Sequence, residues 1–172
     1  PATLFKFDPV TEVITQITAL PNTPCASGLQ GTPFEASDGY LYTISPANFC
    51  RGDVLVRINP SLTAVTQHPL NNFPGINGDG ILEHNDTLYF NTYRGAGQAG
   101  LTDGRGTIWG FDINTLTDFQ IREFTDSIHN PWTGMVEAPD GNWYGEAGGP
   151  LFNGSAAVDD TTCLYRYDPI LN

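Results

Sequence analysis

One segment recurs three times in this chain and limits what it can fold into. The copies are Gly31-Thr32-Pro33-Phe34-Glu35-Ala36-Ser37-Asp38-Gly39-Tyr40-Leu41-Tyr42, Gly80-Ile81-Leu82-Glu83-His84-Asn85-Asp86-Thr87-Leu88-Tyr89 and Gly134-Met135-Val136-Glu137-Ala138-Pro139-Asp140-Gly141-Asn142-Trp143-Tyr144. Each reads as a short strand, a tight turn and a second strand. The predicted turns are Asp38-Gly39, Asp86-Thr87 and Asp140-Gly141, read as two-residue hairpins because Gly tolerates the positive φ that such turns demand.

A second strand pair is interleaved with the first. Thr3-Leu4-Phe5-Lys6-Phe7-Asp8-Pro9 runs into the β-branched stretch Val10 to Ile17, and proline ends the ladder there. Val54 to Pro60 precedes Ala64 to His68, Thr107 to Ile113 precedes Asp118 to Phe124, and Cys163 to Pro169 begins a fourth copy. Aligning Asp8, Asn59, Asp112 and Asp168 gives a period of about 50–55 residues, the scale of a four-stranded propeller blade. The repeats run approximately over 3–53, 54–106 and 107–162, with the start of a fourth at 163–172. The expected fold is all-β, a β-propeller-like array of about three four-stranded blades, standing alone or as part of a larger propeller or assembly. Each blade is a small sheet that gains its core by stacking on its neighbours. The 19 glycines and 13 prolines suit many short strands and turns.

The longer segments Ser45 to Gly52, Tyr93 to Gly106 and Ala147 to Thr162 fall at one place in every repeat. Insertions confined in this way collect on one face, commonly the binding face.

Glu137 to Gly145, a Gly-rich loop and then Leu164-Tyr165-Arg166-Tyr167-Asp168-Pro169 together resemble the GloVer-type tandem repeat. The resemblance extends over nearly the whole chain. It implies an extracellular β-propeller-like array and carries no catalytic residues. Three repeats plus fragments fall short of the four blades of the smallest closed propellers. A piece of a larger propeller, pairing with other copies and an open array all remain open.

The net charge of −12 and a single lysine, Lys6, argue against a nucleic-acid partner and equally against anionic membrane surfaces. No run approaches the roughly 18 apolar residues of a membrane-spanning helix. The sequence starts at Pro1 in what already reads as folded sequence, so a processed or trimmed N-terminus is expected. Asn85-Asp86-Thr87 and Asn153-Gly154-Ser155 are sequons, making Asn85 and Asn153 candidate glycan acceptors on a secreted protein. The three cysteines lack zinc spacing. In a secreted protein Cys25 and Cys50 are the candidate disulfide, leaving Cys163 free or bonded to another chain; all three can equally be buried apolar groups.

Glu35, Glu83 and Glu137 occupy one repeat position. If their strands are innermost they line a channel and can hold Ca2+, which takes several oxygen ligands; alternatively each bonds the backbone of a neighbouring blade. Asp79, Asp159 and Asp160 are weaker calcium candidates. Trp109 and Trp143 occupy core strand positions, whereas Trp132 follows Pro131 in a connector. Trp132 with Tyr93 and Arg94 forms the candidate ligand-binding set, since aromatic faces stack on sugar rings.

His84, Tyr93, Arg94 and His129, with Arg105, are the candidate catalytic set for a polysaccharide lyase, which needs a base and a cation beside the developing enolate. Gly95 to Gly100 superficially matches a dinucleotide fingerprint but lacks a βαβ context. The expected function is a secreted module for carbohydrate binding or structural assembly, partnered by carbohydrate or by other copies of the chain. The alternative is a glycan-active enzyme with its site on the variable-loop face.

Overall fold

The structure is a computed structural model, and it describes residues 3–19, 30–45, 54–70, 80–92, 106–124, 129–131, 133–148 and 162–171. Among them are fourteen β-strands and no helix. No helix of the described residues is therefore long and apolar enough to cross a membrane.

Sheet I pairs β1 (Thr3–Asp8) with β2 (Val13–Ala19). Sheet II is an antiparallel meander of β3 (Gln30–Glu35), β4 (Leu41–Ser45), β5 (Val54–Ile58) and β6 (Val65–Pro69). Sheet III repeats it with β7 (Leu82–His84), β8 (Thr87–Thr92), β9 (Thr107–Asp112) and β10 (Thr117–Glu123). Sheet IV sets β13 (Trp143–Gly148) at its centre, with β14 (Cys163–Tyr167) on one edge and β11 (His129–Pro131) and β12 (Val136–Glu137) in succession along the other. Sheets II and III each join two strands of one sequence repeat to two of the next, so the sheets are offset from the repeats by half a period.

Three apolar clusters stack the sheets in chain order. Leu4 and Ile17 of sheet I meet Val56 and Ile58 of sheet II. Tyr42, Ile44 and Leu55 of sheet II meet Leu88, Phe90, Trp109 and Phe111 of sheet III. Ile108 and Tyr89 of sheet III meet Trp143, Tyr165 and Tyr167 of sheet IV. Strand alternation makes this possible: successive side chains point to opposite faces, so each inner sheet buries both. Trp109 and Trp143 lie in these clusters.

The hairpin turns differ in detail from the two-residue reading. Gly39 N–H donates to Ala36 O at 2.9 Å, and Gly141 N–H to Ala138 O at 2.9 Å. Both are three-residue loops closed by a glycine at φ 77° and 78°, a type I turn followed by a left-handed residue. In the middle copy the turn is Asn85-Asp86 rather than Asp86-Thr87, because His84 pairs with Thr87. Asn85 and Asp86 take φ 50° and 58°, which their short polar side chains tolerate.

The other hairpins share one device. The carboxylate of Asp8 accepts from the amides of Val10 and Thr11, that of Asp112 from Asn114 and Thr115, and that of Asp168 from Ile170 and Leu171. The side-chain oxygen of Asn59 accepts from Thr63 and Ala64. These side-chain bonds fix each turn locally, and Leu62 and Ile113 also anchor two of the turns to the core. All tight turns lie at one end of the stack. The segments 46–53, 93–105 and 149–161 leave from the other, after Ser45, Thr92 and Gly148.

Candidate functional site at the junction of two sheets

The loop end of sheets III and IV carries a buried polar cluster that the strand pattern alone conceals. After Thr87, β8 reads Leu88-Tyr89-Phe90-Asn91-Thr92, turning polar at its last two residues. Asn91 is 1% and Thr92 0% exposed. Asn91 Nδ2 donates to Thr133 O at 2.7 Å and to the Tyr165 hydroxyl at 2.7 Å. Its Oδ1 is buried without a hydrogen-bond partner among the described residues, an arrangement that costs about 1–3 kcal/mol of desolvation. Thr92 and Thr107 join their hydroxyls at 2.6 Å, and Thr107 N–H donates to Thr92 Oγ1 at 3.0 Å.

Two glycines make room for this cluster. Gly106 sits at φ +84°, and a Cβ there would lie 2.5 Å from both Thr92 O and Pro131 Cδ. Gly145 faces Tyr165 across the ladder, where a Cβ would lie 2.5 Å from the phenol oxygen. Burial drives the Tyr165 phenol well above its usual range, although the Asn91 hydrogen bond opposes the shift. Tyr165 is therefore a neutral hydrogen-bonding post rather than a base.

Tyr93, Arg94, Arg105 and Trp132 lie outside the described residues. The residues on which those segments are strung are described: Thr92, ahead of Tyr93, and Pro131, ahead of Trp132, both abut Gly106. On the far side of Trp132, Thr133 is tied to Asn91 through its carbonyl, and its hydroxyl accepts from Glu146 N–H at 3.1 Å. Of the remaining candidates, His129 opens β11, where its backbone pairs with Gly148. Cys25, Cys50, Asn153, Asp79, Asp159 and Asp160 lie outside the described residues.

The glutamates and His84 lie at the opposite end. Glu83 accepts from Ser37 N–H at 2.9 Å and from the Ser37 hydroxyl, reaching from sheet III to the turn of sheet II. Glu137 of sheet IV meets His84 Nδ1 of sheet III at 3.2 Å. Glu35 is exposed. Two of the three equivalent positions, Glu83 and Glu137, thus form sheet-to-sheet clasps. Among the described residues, no group of three His, Cys, Asp or Glu comes together to hold a metal.

His84 also sets its ring edge-on to Trp143 at 5.7 Å. It pairs with Thr87, while Tyr93 follows Thr92; β8 spans that separation, about 17 Å at the usual strand rise. Asn85 is exposed at the tip of its turn. Cys163 is a half-buried free thiol packed against the sheet III–IV core.

Asn91, Thr107, Gly106 and Tyr165 did not stand out as site residues from sequence. The available signal was Asn91 itself, which stands at the repeat position held by Ile44 in sheet II. Neither the protein-family models nor the curated proteins match this chain.

Proposed function

We propose that the chain is a secreted, β-propeller-like repeat module that binds carbohydrate at the loop end of its stacked sheets, with Trp132, Tyr93 and Arg94 as the contacting residues. The observation that carries this reading is the Gly106 junction, where the backbones leading into Tyr93 and Trp132 are packed together. Two aromatic rings and a cation, the side chains of Trp132, Tyr93 and Arg94, are the chemistry that suits a sugar ring with polar or carboxylate substituents. The common exit of the three variable segments supports the same face.

Titration of the purified chain against a panel of neutral and uronate-containing polysaccharides, with calcium and with chelator, tests it. Binding that falls at least tenfold in Trp132→Ala, with an unchanged melting temperature, is the expected result. Absence of binding across the panel sinks the carbohydrate reading. Loss of binding in chelator would bring Ca2+ into the site.

The glycan-active alternative keeps Tyr93, Arg94 and His129, and one observation favours it: β11, which carries His129, ends at the Pro131 that touches Gly106. It separates His84 from that set. A lyase would release unsaturated uronate, read by ultraviolet absorbance, and His129→Ala would abolish the signal while sparing binding.

A further inference from the structure

In each sheet, the strand that runs into the Asx turn carries a two-sided code. Counting back from Asp8, Asn59, Asp112 and Asp168, the first and third residues are Phe7 and Phe5, Ile58 and Val56, Phe111 and Trp109, and Tyr167 and Tyr165. In sheets II, III and IV these pairs pack against the sheet before them. They are nearly inaccessible there, at 0% for Ile58, 1% for Phe111 and 8% for Tyr167. In sheet I the same positions are open, with Phe5 63% and Phe7 52% exposed, and Ile14, the partner of Phe7 across the ladder, 67%.

The fourth residue back is Leu4, Leu55, Ile108 and Leu164. The first three pack against the sheet that follows, whereas Leu164 is 71% exposed, as is Val136 of the same sheet at 63%. One molecule therefore presents both halves of an interface that it builds three times internally.

We propose that sheet IV of one copy docks face to face on sheet I of a second copy, head to tail, in the packing mode that joins sheets I to II, II to III and III to IV. The occupant is a second copy because each molecule carries both faces, and because the two faces differ in kind. Phe5, Phe7 and Ile14 are of the type that meets a preceding sheet; Leu164 is of the type that meets a following one. A contact between unlike patches is heterologous, and closes into a ring or continues into a filament.

The turns agree with the docking. Sheets III and IV each clasp the sheet before them with a glutamate from the strand ahead of the tight turn. Pro139 stands where Ser37 donates its N–H, so sheet IV cannot offer that amide. Sheet I, which would follow sheet IV, has among the described residues no glutamate strand with which to clasp it. The proposal rests on the stacked-sheet reading of the fold and not on carbohydrate binding.

Sedimentation of the chain over a wide concentration range tests it, with Phe7→Asp and Leu164→Asp as exposed-site variants. The wild type should gain mass with concentration, and each variant alone should remain monomeric. An equimolar mixture should form a 1:1 dimer, because each variant retains the face the other lacks. A wild type that stays monomeric overturns the proposal. So does a Leu164→Asp chain that associates as well as wild type, the sign of a like-to-like contact. Unchanged melting temperatures show that the variants fold, and glycan binding by monomeric Phe7→Asp separates failure here from failure of the carbohydrate reading.

Discussion

Glu83 grips Ser37 by both its backbone N–H and its hydroxyl, linking the first strand of one sheet to the turn of the sheet before it. The contact crosses between sheets 46 residues apart in sequence, so it helps to fix the stacking of sheets II and III. Glu83→Ala should lower stability to urea by about 1 kcal/mol, given that the pair is partly solvated. Ser37→Ala should cost about half as much, since the backbone amide still donates. In the double variant the Ser37→Ala cost should vanish. Full additivity would mean that the clasp does not form in solution.

Asp38 lies at the centre of a second cluster. Its carboxylate accepts from Tyr40 N–H, from the Tyr42 hydroxyl at 2.8 Å and from Arg57 at 2.9 Å, and the Arg57 guanidinium lies 3.5 Å from the Tyr40 ring centroid. Burial opposes ionisation of Asp38, but these donors outweigh it and hold the carboxyl below its ordinary 3.8. The resulting stabilisation is fully present above that value and is lost as the pH falls through the lower folded value. Asp38→Asn should cost about 1–2 kcal/mol at neutral pH. It should also lose less stability than wild type between about pH 5 and pH 2, as read from urea midpoints.

Gly106 has no room for a side chain. At φ +84°, with Thr92 O and Pro131 Cδ in the way, Gly106→Ala should destabilise by about 3 kcal/mol, combining left-handed strain with displacement of Pro131. Gly141 sits at φ +78°, and a Cβ there would meet nothing within 4 Å, so the same change should cost only about 1 kcal/mol. Thermal melts of the two variants make the comparison. Equal losses would mean that the junction yields freely.

Trp143 is 1% exposed, with Tyr89 at 4.4 Å, Tyr167 at 5.3 Å and His84 at 5.7 Å between ring centroids. Trp143→Ala should cost about 3–5 kcal/mol. Its Nε1 has no hydrogen-bond partner among the described residues. Trp143→Phe therefore forfeits volume alone and should cost about 1–2 kcal/mol by equilibrium unfolding.

The strands and their order were legible because β-branched and aromatic residues alternate between Asx and Gly turns. The core tryptophans were legible because Trp109 and Trp143 replace apolar strand residues in other copies. The loop lengths of the Asp-Gly hairpins were not, since Asp-Gly serves a two-residue turn and the end of a three-residue turn equally well. At the candidate site, sequence singled out Trp132 and Tyr93 by chemistry, but the joining of Asn91 to Thr133 across two sheets, next to both segments, was not legible. The position of the glutamates was plain, whereas what Glu83 and Glu137 grip lies about 50 residues away in the preceding sheet.

The half-period offset between sheets and repeats has a consequence for the integrity of the chain. A backbone break within 93–105 would fall between β8 and β9, in the middle of sheet III. It would leave two fragments, each ending in a two-stranded half whose missing hydrogen bonds only the other can supply. Such halves should recombine when mixed. By the same logic, no block of the chain can be removed at a repeat boundary without rebuilding a sheet from strands that never met before.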